Sequence, residues 1–219
     1  GLVTEGDVLR YGDKPPAHLL QFASEKKPIV VWNCTKKCNL NCIHCYIDSR
    51  NMEYSGELTN AEAKKMIDSL VEFKAPVLLF SGGEPLIRPD LFDLMEYANS
   101  KGLRVVISTN GTLIDKNIAA KIKNIGVSYV GISLDGMKDV HDHFRGKKGA
   151  FEETIKGFRN CVEVGQKVGL RLTLNQYNLQ NINDIFDLID KENINRACFY
   201  HLVYSGRGQR ISKKDLDHK

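Results

Sequence analysis

Short apolar runs alternate with amphipathic stretches along most of this chain. Several of the runs are apolar on both faces, which is typical of strands in a parallel sheet covered by helices. The predicted strands cover residues 29–34, 77–80, 103–108, 127–133, 170–175 and 197–203. Helical spacing of apolar residues predicts helices over 59–73, 89–100, 115–124, 149–168 and 181–190. Thr59 and Glu62 make a capping box at the start of the first helix.

This alternation of strand and helix indicates an α/β fold built from βα units. Six strands are too few for a closed eight-stranded barrel, so the sequence predicts either a partial barrel or a shortened chain. Residues 211–219 look like the start of a sixth helix. We expect residues 1–28 to form an N-terminal extension, with a short helix at 17–22 that caps one end of the barrel, and residues 29–219 to form the core.

Polar residues and glycines follow three neighbouring strands. The segments are "SGGE" (81–84), "STNG" (108–111) and "SLDG" (133–136), and they recur every 25 to 27 residues. The carboxyl ends of parallel strands meet at one edge of the sheet, where α/β proteins build their active sites. Each segment alone is also an ordinary turn. Together they predict a site at this edge.

Composition and charge exclude several classes of function. The 219 residues fit one domain, with 42% hydrophobic and 26% charged residues. A net charge of +4 is too small to indicate nucleic acid as a partner. No apolar run approaches the roughly 20 residues that span a bilayer, and no signal-peptide pattern precedes the cysteines. We therefore expect no membrane partner and a cytoplasmic location.

Four of the six cysteines crowd into residues 34–45, which favours metal binding over a disulfide framework. Cys38, Cys42 and Cys45 lie in the loop after the first strand, at the edge that carries the polar segments. A zinc site or a closed four-cysteine electron-transfer cluster would need a fourth ligand, for which Cys34 and His44 are the nearest candidates. Cys34 ends the strand and is expected in the core, as are Cys161 and Cys198. Three thiolates on a cubane cluster would leave one iron open to an exogenous ligand.

The spacing C-x3-C-x2-C, followed by "GGEP" at 82–85, closely resembles the radical S-adenosylmethionine (SAM) superfamily. The resemblance implies an α/β fold of partial (βα)6, TIM-like barrel type, forming a radical SAM core. It implies that Cys38, Cys42 and Cys45 hold a [4Fe–4S] cluster and that SAM chelates the open iron. An electron from a reduced flavodoxin- or ferredoxin-type donor would then cleave SAM to methionine and a 5′-deoxyadenosyl radical, which abstracts hydrogen from the substrate.

The same resemblance assigns residues to SAM. Gly82 and Gly83 would let the methionine ammonium approach the backbone, Glu84 would pair with that ammonium or hold the loop, and Pro85 would fix the turn. Arg145 resembles the arginine that pairs with the SAM carboxylate, although a surface arginine is the alternative. Further contacts to ribose, methionine, adenine or cluster fall on Ser108, Asn110, Ser133, Asp135, His44, Tyr46, Thr173 and Asn175.

The phrases at 30–46 and 199–208, "VVWNCTKKCNLNCIHCY" and "FYHLVYSGRG", look most like one branch of this superfamily. That branch modifies siroheme-derived tetrapyrroles in alternative heme and d1-type heme biosynthesis, and includes didecarboxysiroheme deacetylase. The resemblance places Tyr200, His201 and Tyr204 on the open side of the barrel and Arg207 near the substrate carboxylates. The alternative is that these aromatic residues pack against a last helix.

Members of that branch usually carry a C-terminal extension with an auxiliary cluster. The sequence stops before such a segment, so we expect a chain that lacks this domain and is shortened at its C-terminus. The alternative functions are a sister-branch maturase of a peptide or another cofactor, a non-catalytic iron–sulfur electron carrier, and a zinc-stabilised domain. A carrier has no use for the "GGEP" segment at 82–85.

Overall fold

The computed structural model describes residues 27–216, so the helix predicted at 17–22 and nearly all of the predicted extension lie outside the described residues. Six parallel strands form one sheet in the order β1 to β6. The strands are β1 (Val30–Thr35), β2 (Val77–Gly82), β3 (Arg104–Thr109), β4 (Tyr129–Ser133), β5 (Val168–Thr173) and β6 (Ala197–Tyr200). The helices between them are α1 (Asn60–Glu72), α2 (Leu91–Ser100), α3 (Lys116–Ile125), α4 (Lys138–Arg145), α5 (Ala150–Glu163) and α6 (Ile182–Lys191).

The predicted elements are confirmed with small changes at their ends. The capping box of α1 is present, since the Thr59 side chain accepts from the Glu62 N–H and the Glu62 carboxylate accepts from the Thr59 N–H at 2.8 Å. The helix predicted to run to residue 168 ends at Glu163, because Gly165 takes a left-handed conformation with φ 65°. The helix start predicted at 211 is wrong: Gly206–Lys214 forms short 3-10 turns.

The α4 helix was not predicted. Its sequence, KDVHDHFR, has few apolar residues, yet His141, Phe144 and Arg145 are all buried. Two of the three buried side chains are polar, so the sequence of this helix lacks the apolar periodicity by which helices are predicted. This helix is important for the site because it lies beside the cysteine loop.

The two faces of the sheet differ in chemistry. Successive side chains of a strand point to opposite faces, and the outward-facing set is apolar and packs beneath the helices. This core includes Leu78, Phe80, Val105, Ile107, Val130, Ile132, Leu170 and Leu172 from the strands with Ile67, Met95, Ile122 and Phe158 from the helices. The inward-facing set is mixed: Gly131, Ser133, Arg171 and Thr173 are small, polar or charged, whereas Val31 and Leu79 are apolar.

The sheet curves into a partial barrel. All six strands contribute lining to one cavity, from Val31 in β1 to Tyr200 in β6. Strands lie about 4.8 Å apart, so a flat six-stranded sheet could not enclose one such cavity. Because β1 and β6 end the strand order without pairing, the barrel is open along one side. The longest helix within residues 27–216 has 14 residues, and none of the helices there could span a bilayer.

Candidate active site

A cavity of about 360 Å³ opens at the carboxyl ends of the strands. It brings together most of the residues assigned from the sequence. Those that line it are Cys38, Cys42, His44, Cys45, Tyr46, Gly82, Gly83, Ser108, Asn110, Ser133, Asp135, Arg145, Thr173, Tyr200, His201 and Arg207. Glu84, Pro85, Asn175 and Tyr204 lie outside the lining. The cavity is therefore formed by the cysteine loop on one side and by strand ends on the others.

The cysteine loop, which follows β1 and carries Cys38, Cys42 and Cys45, is held in place by the end of α4. The N–H groups of Asn41 and Ile43 donate to the carbonyls of Arg145 and Phe144 at 3.2 and 2.9 Å. These are carbonyls of the last turn, which have no partner inside a helix. Gly146 then caps the helix with φ 63°, and a Cβ there would lie 2.8 Å from the Asn41 carbonyl oxygen. The loop and the helix end thus pack backbone against backbone.

A second attachment comes from Arg207, which follows β6. Its Nε donates to the Cys42 carbonyl at 2.6 Å, and its Nη1 donates to Asp48 Oδ1 at 2.7 Å and to the Ser49 carbonyl at 2.8 Å. Arg207 also lines the cavity, and its sequence assignment to substrate carboxylates stays a prediction, although its charge is paired with Asp48. Within the protein, Arg207 ties Cys42, Asp48 and Ser49 to the chain that follows β6.

Each of the three assigned thiols accepts an N–H donor. Arg145 Nη1 lies 3.6 Å from Cys42 Sγ, the Leu40 N–H lies 3.4 Å from Cys38 Sγ, and the Ser49 N–H lies 3.3 Å from Cys45 Sγ. Burial raises the pKa of Cys38 to about 12 and also raises the pKa of Cys42. Metal binding must therefore supply the deprotonation, and the donors would then stabilise thiolate charge.

The environment of Cys34 differs from that of these three thiols. It is 1% exposed, belongs to the apolar core, and has a pKa raised by burial to about 12. Among residues 27–216, no group of three or more His, Cys, Asp or Glu side chains is gathered for a single metal ion. A structural zinc site needs such a group. The thiolates of a cubane each bind a different iron and need not converge on one point, so the donor set fits a cluster.

Asp135 and Arg145 form a buried ion pair against the cysteine loop. Arg145 Nη2 lies 2.5 Å from Asp135 Oδ2, with the two side chains 7% and 1% exposed. Burial alone would raise the pKa of Asp135, but the guanidinium, the imidazoles of His44 and His141 and the Thr173 N–H together outweigh it and lower that pKa. Arg145 is thus a buried residue, and the alternative of a surface arginine is wrong. Its position between Asp135 and Cys42 links the end of β4 to the cysteine loop.

His44 lies next to the same ion pair. Its Nε2 is 3.7 Å from Asp135 Oδ2, and its ring packs against Phe144 with centroids 5.3 Å apart. Burial lowers the pKa of His44, so the imidazole is neutral at pH 7. Tyr46 is more exposed, and its hydroxyl donates to Asn33 Oδ1 at 2.9 Å.

Glu84 holds the loops together and does not reach the cavity. The buried carboxylate accepts from the Thr109 hydroxyl at 2.7 Å, the Asn110 N–H at 2.8 Å and the Leu86 N–H at 3.1 Å. Of the two roles predicted for Glu84, the structure shows the loop-holding one. Pro85 starts a short 3-10 helix directly behind it.

Gly82 and Gly83 line the cavity, and the structure shows a reason for glycine there that was not predicted. A Cβ on Gly82 would lie 2.2 Å from the Thr35 carbonyl oxygen, and one on Gly83 would lie 2.3 Å from that of Lys37. The missing side chains therefore make room for the start of the cysteine loop. Both contacts are with backbone, which cannot move aside as a side chain can.

Asn110 connects the β3 end to the cysteine loop. Its Nδ2 donates to Asn39 Oδ1 at 2.9 Å, and its Oδ1 accepts from the Thr112 N–H and hydroxyl at 2.9 and 2.7 Å. The hydroxyls of Ser108 and Ser133 also line the cavity, and neither makes a hydrogen bond within residues 27–216. The hydroxyls of Ser81 and Thr173 line the cavity in the same way, so four strand-end hydroxyls are left to bind a ligand.

Two predicted contacts are wrong. Tyr204 is 58% exposed and its hydroxyl bonds to Asp215, on the chain that follows β6, so it does not face the cavity. Asn175 is fully buried, with its Oδ1 accepting from the Tyr177 N–H at 2.9 Å and its Nδ2 donating to the Thr173 carbonyl. It shapes the turn after β5 and does not reach an adenosyl group.

Sequence reasoning missed Arg171, Asn39 and Asp48. Arg171 lines the cavity from β5, and the visible signal was one arginine in the otherwise apolar run "VGLRLT". Asn39 and Asp48 act through hydrogen bonds to Asn110 and Arg207, which no spacing in the sequence indicates.

Buried polar atoms without a partner are concentrated around this cavity. In the part of the chain that is described, eight buried side-chain nitrogen or oxygen atoms lack a hydrogen bond, and five belong to cavity-lining residues. These five are His44 Nδ1, Ser49 Oγ, Asp135 Oδ2, Arg145 Nε and Arg207 Nη2. Asp135 Oδ2 still has its ion pair with Arg145. Native proteins leave few such atoms unpaired, so the concentration indicates a site built for a polar ligand.

Comparisons with known proteins were made for the sequence and for the fold. A family model described as the Radical SAM superfamily matches residues 32–189. The chain is 54% identical to Fe-coproporphyrin III synthase of Methanosarcina barkeri over 99% of this chain and 55% of that protein. It is 43% identical to pre-heme d1 synthase of Dinoroseobacter shibae over 88% of this chain and 48% of that protein. The chain thus spans about half the length of the curated relatives it matches.

The fold is similar to that of Streptococcus suis SuiB bound to S-adenosylmethionine. The TM-score is 0.69 at 18% identity, covering 80% of this chain and 40% of SuiB. At this level of identity the likeness concerns the fold alone, and it confirms the predicted α/β architecture.

Proposed function

The chain belongs to the radical SAM superfamily, and from this premise we propose that it is the cofactor-binding core of an enzyme that modifies a siroheme-derived tetrapyrrole in heme or d1-type heme biosynthesis. The observation that carries the proposal is the cavity in which three thiols, each with an N–H donor, face polar strand ends. The names of the two relatives, Fe-coproporphyrin III synthase and pre-heme d1 synthase, support a tetrapyrrole as the class of substrate. The whole enzyme acts in the cytoplasm and takes electrons from a flavodoxin- or ferredoxin-type donor in this proposal.

The superfamily uses a [4Fe–4S] cluster and SAM. When bound, these groups supply reductive cleavage of the sulfonium C–S bond and a 5′-deoxyadenosyl radical that removes hydrogen from substrate. In the proposal, Cys38, Cys42 and Cys45 hold the cluster. Leu40 is 3% exposed and packs with Cys38 and Cys42, so the loop keeps water away from these thiols.

The strand ends would bind the methionine and ribose parts of SAM. The unpaired hydroxyls of Ser108 and Ser133 are suited to the ribose and the carboxylate, and the backbone at Gly82 and Gly83 is open to the cavity. Arg145 holds its positive charge between Asp135 and Cys42, since Asp135 raises the pKa of the guanidinium against the opposing effect of burial. This fixed charge would orient an anionic group beside the cluster ligand.

Formation of 5′-deoxyadenosine tests the proposal. The anaerobically reconstituted chain, given dithionite and SAM, should produce 5′-deoxyadenosine, and single alanine variants of Cys38, Cys42 and Cys45 should not. Iron and sulfide analysis of the same samples is the control for cluster loading. A chain that holds about four irons yet gives no product would contradict the proposal and favour an electron carrier.

A further inference from the structure

We propose that Arg171 and Tyr200 form a subsite that binds a carboxylate side chain of the substrate. This inference rests on the proposed function, because it takes a tetrapyrrole that carries ionised carboxylates as the ligand. The sequence assigned that role to Arg207, whose charge is paired with Asp48.

Arg171 lies on the inner face of β5 and lines the cavity. It pairs in register with Ser133 of β4 on one side and Cys198 of β6 on the other. The side chain crosses Gly131 of β4, where a Cβ would come within 2.7 Å of Arg171 Cδ and 3.3 Å of Nη1. Glycine at 131 therefore leaves the space through which the guanidinium reaches the cavity.

Tyr200 orients that guanidinium. Its hydroxyl oxygen accepts from Arg171 Nε at 3.1 Å and from Nη2 at 2.7 Å. An oxygen that accepts two N–H groups keeps its own O–H proton to donate. Tyr200 makes no other hydrogen bond within the described residues. The Tyr200 O–H and the remaining Arg171 N–H groups are thus available to the two oxygens of one carboxylate.

The charges around the cavity leave Arg171 without a counter-ion. Asp135 is the only carboxylate that lines the cavity, counting residues 27–216, and it is paired with Arg145. Arg207 is paired with Asp48. Arg171 forms no ion pair within 4.0 Å in that same part of the chain. A half-buried guanidinium without a carboxylate favours an anionic ligand.

The surroundings of Arg171 suit a large planar ligand. Val31 and Val203 line the same cavity while 57% and 54% exposed, and Leu79 adds a further apolar side chain. These residues lie towards the side where β1 and β6 do not pair. A macrocycle placed there would bury apolar surface and direct one acidic side chain to Arg171.

Porphyrin binding tests the subsite. The probe is coproporphyrin III, whose propionates are ionised at pH 7, and its fully esterified derivative is the uncharged control. Dissociation constants are measured for the cluster-loaded chain and for Arg171→Gln, Arg171→Lys and Arg104→Gln. Arg104 is an exposed arginine at the start of β3 and serves as the matched control. SAM affinity and thermal unfolding are measured for every variant.

We expect Arg171→Gln to weaken binding of the free acid by about ten- to a hundredfold and Arg171→Lys to weaken it less. Binding of the ester, SAM affinity and thermal unfolding should not change, and Arg104→Gln should behave like the unmodified chain. Equal weakening of acid and ester, or no weakening, would overturn the subsite. Loss of SAM affinity in Arg171→Gln would also overturn it, since the carboxylate would then be that of SAM.

Failure of the proposed function gives a different result. An unmodified chain that forms 5′-deoxyadenosine but binds neither porphyrin would overturn the tetrapyrrole substrate, and the subsite with it. An unmodified chain that binds the acid as tightly as Arg171→Gln does would overturn the subsite alone.

Discussion

Two parts of the protein around the cavity are built in opposite ways. The first, the loop network, joins the cysteine loop to the ends of β2, β3 and β4, and consists of Asn39, Glu84, Thr109, Asn110, Asp135 and Arg145. The second, the open wall, lies near the unpaired edges of β1 and β6, and consists of Val31, Arg171, Tyr200 and Val203. Glu84 and Asp135 are 0% and 1% exposed, whereas Val31 and Val203 are 57% and 54% exposed.

The difference follows from what each part has to do. In the loop network most polar groups have a partner inside the protein, and the exceptions are Asp135 Oδ2 and Arg145 Nε, which lack a hydrogen bond although the two residues form an ion pair. The cysteine loop is therefore held in place before any ligand arrives. In the open wall the side chains of Arg171 and Tyr200 bond to each other, Arg171 has no ion pair within residues 27–216, and Val31 and Val203 are exposed, so a ligand would complete this part. A cofactor site that must be rigid and a substrate site that must admit a large molecule are thus separated on one barrel.

The largest effect is expected from two cysteines of the same segment. Cys42→Ala should abolish cluster binding, because it removes the thiol next to Arg145 Nη1, whereas Cys34→Ala should leave cluster binding intact because Cys34 lies in the apolar core. Iron and sulfide content after anaerobic reconstitution measures both. Loss of iron in Cys34→Ala with an unchanged thermal unfolding profile would contradict the assignment of ligands.

A second comparison removes hydrogen bonds from each part. Glu84→Ala leaves the Thr109 hydroxyl and the N–H groups of Asn110 and Leu86 unpaired, and should lower the free energy of unfolding by about 3 kcal/mol. Tyr200→Phe, in the open wall, should change it by less than about 0.5 kcal/mol. Urea unfolding of the cluster-loaded variants measures both values. Similar losses in the two variants would remove the distinction between the parts.

The smallest effect concerns acid stability beside the loop network. His141 Nδ1 accepts from the Asp135 N–H at 3.1 Å, and burial lowers the pKa of His141 from 6.5 to about 3. Between these values the unfolded chain binds a proton that the folded chain does not. Stability is therefore complete above pH 6.5 and falls as the pH drops towards 3.

His141→Asn removes this titration while keeping an acceptor at the same place. From pH 7 to pH 5.5 the unmodified chain should lose about 1 kcal/mol more of its free energy of unfolding than the variant. Urea unfolding of both chains at the two pH values measures the difference. Parallel loss in both would mean that other groups cause the acid sensitivity.

The sequence by itself determined the strand order, five of the six helices and the edge at which the site lies, and it predicted three thiols as cluster ligands. Each of these depends on local regularities: period-two and helical apolar patterns, turn residues after strands, and cysteine spacing. The strand pattern also distinguished Cys34 from the three predicted ligands, because Cys34 falls inside a strand and they follow it.

The tertiary structure alone decided which polar groups near the strand ends are already hydrogen-bonded within the protein. Glu84, Asn175 and Arg207 are polar residues at strand ends, as ligand contacts would be, yet their partners lie in segments far away in the sequence or within a buried turn. The α4 helix was missed because its buried face is partly polar. Arg171 differs from the other two cavity arginines only in the folded chain, where Arg145 and Arg207 each pair with a carboxylate. Hydrogen bonds and ion pairs depend on distances of a few ångströms between remote segments, and a linear pattern does not contain those distances.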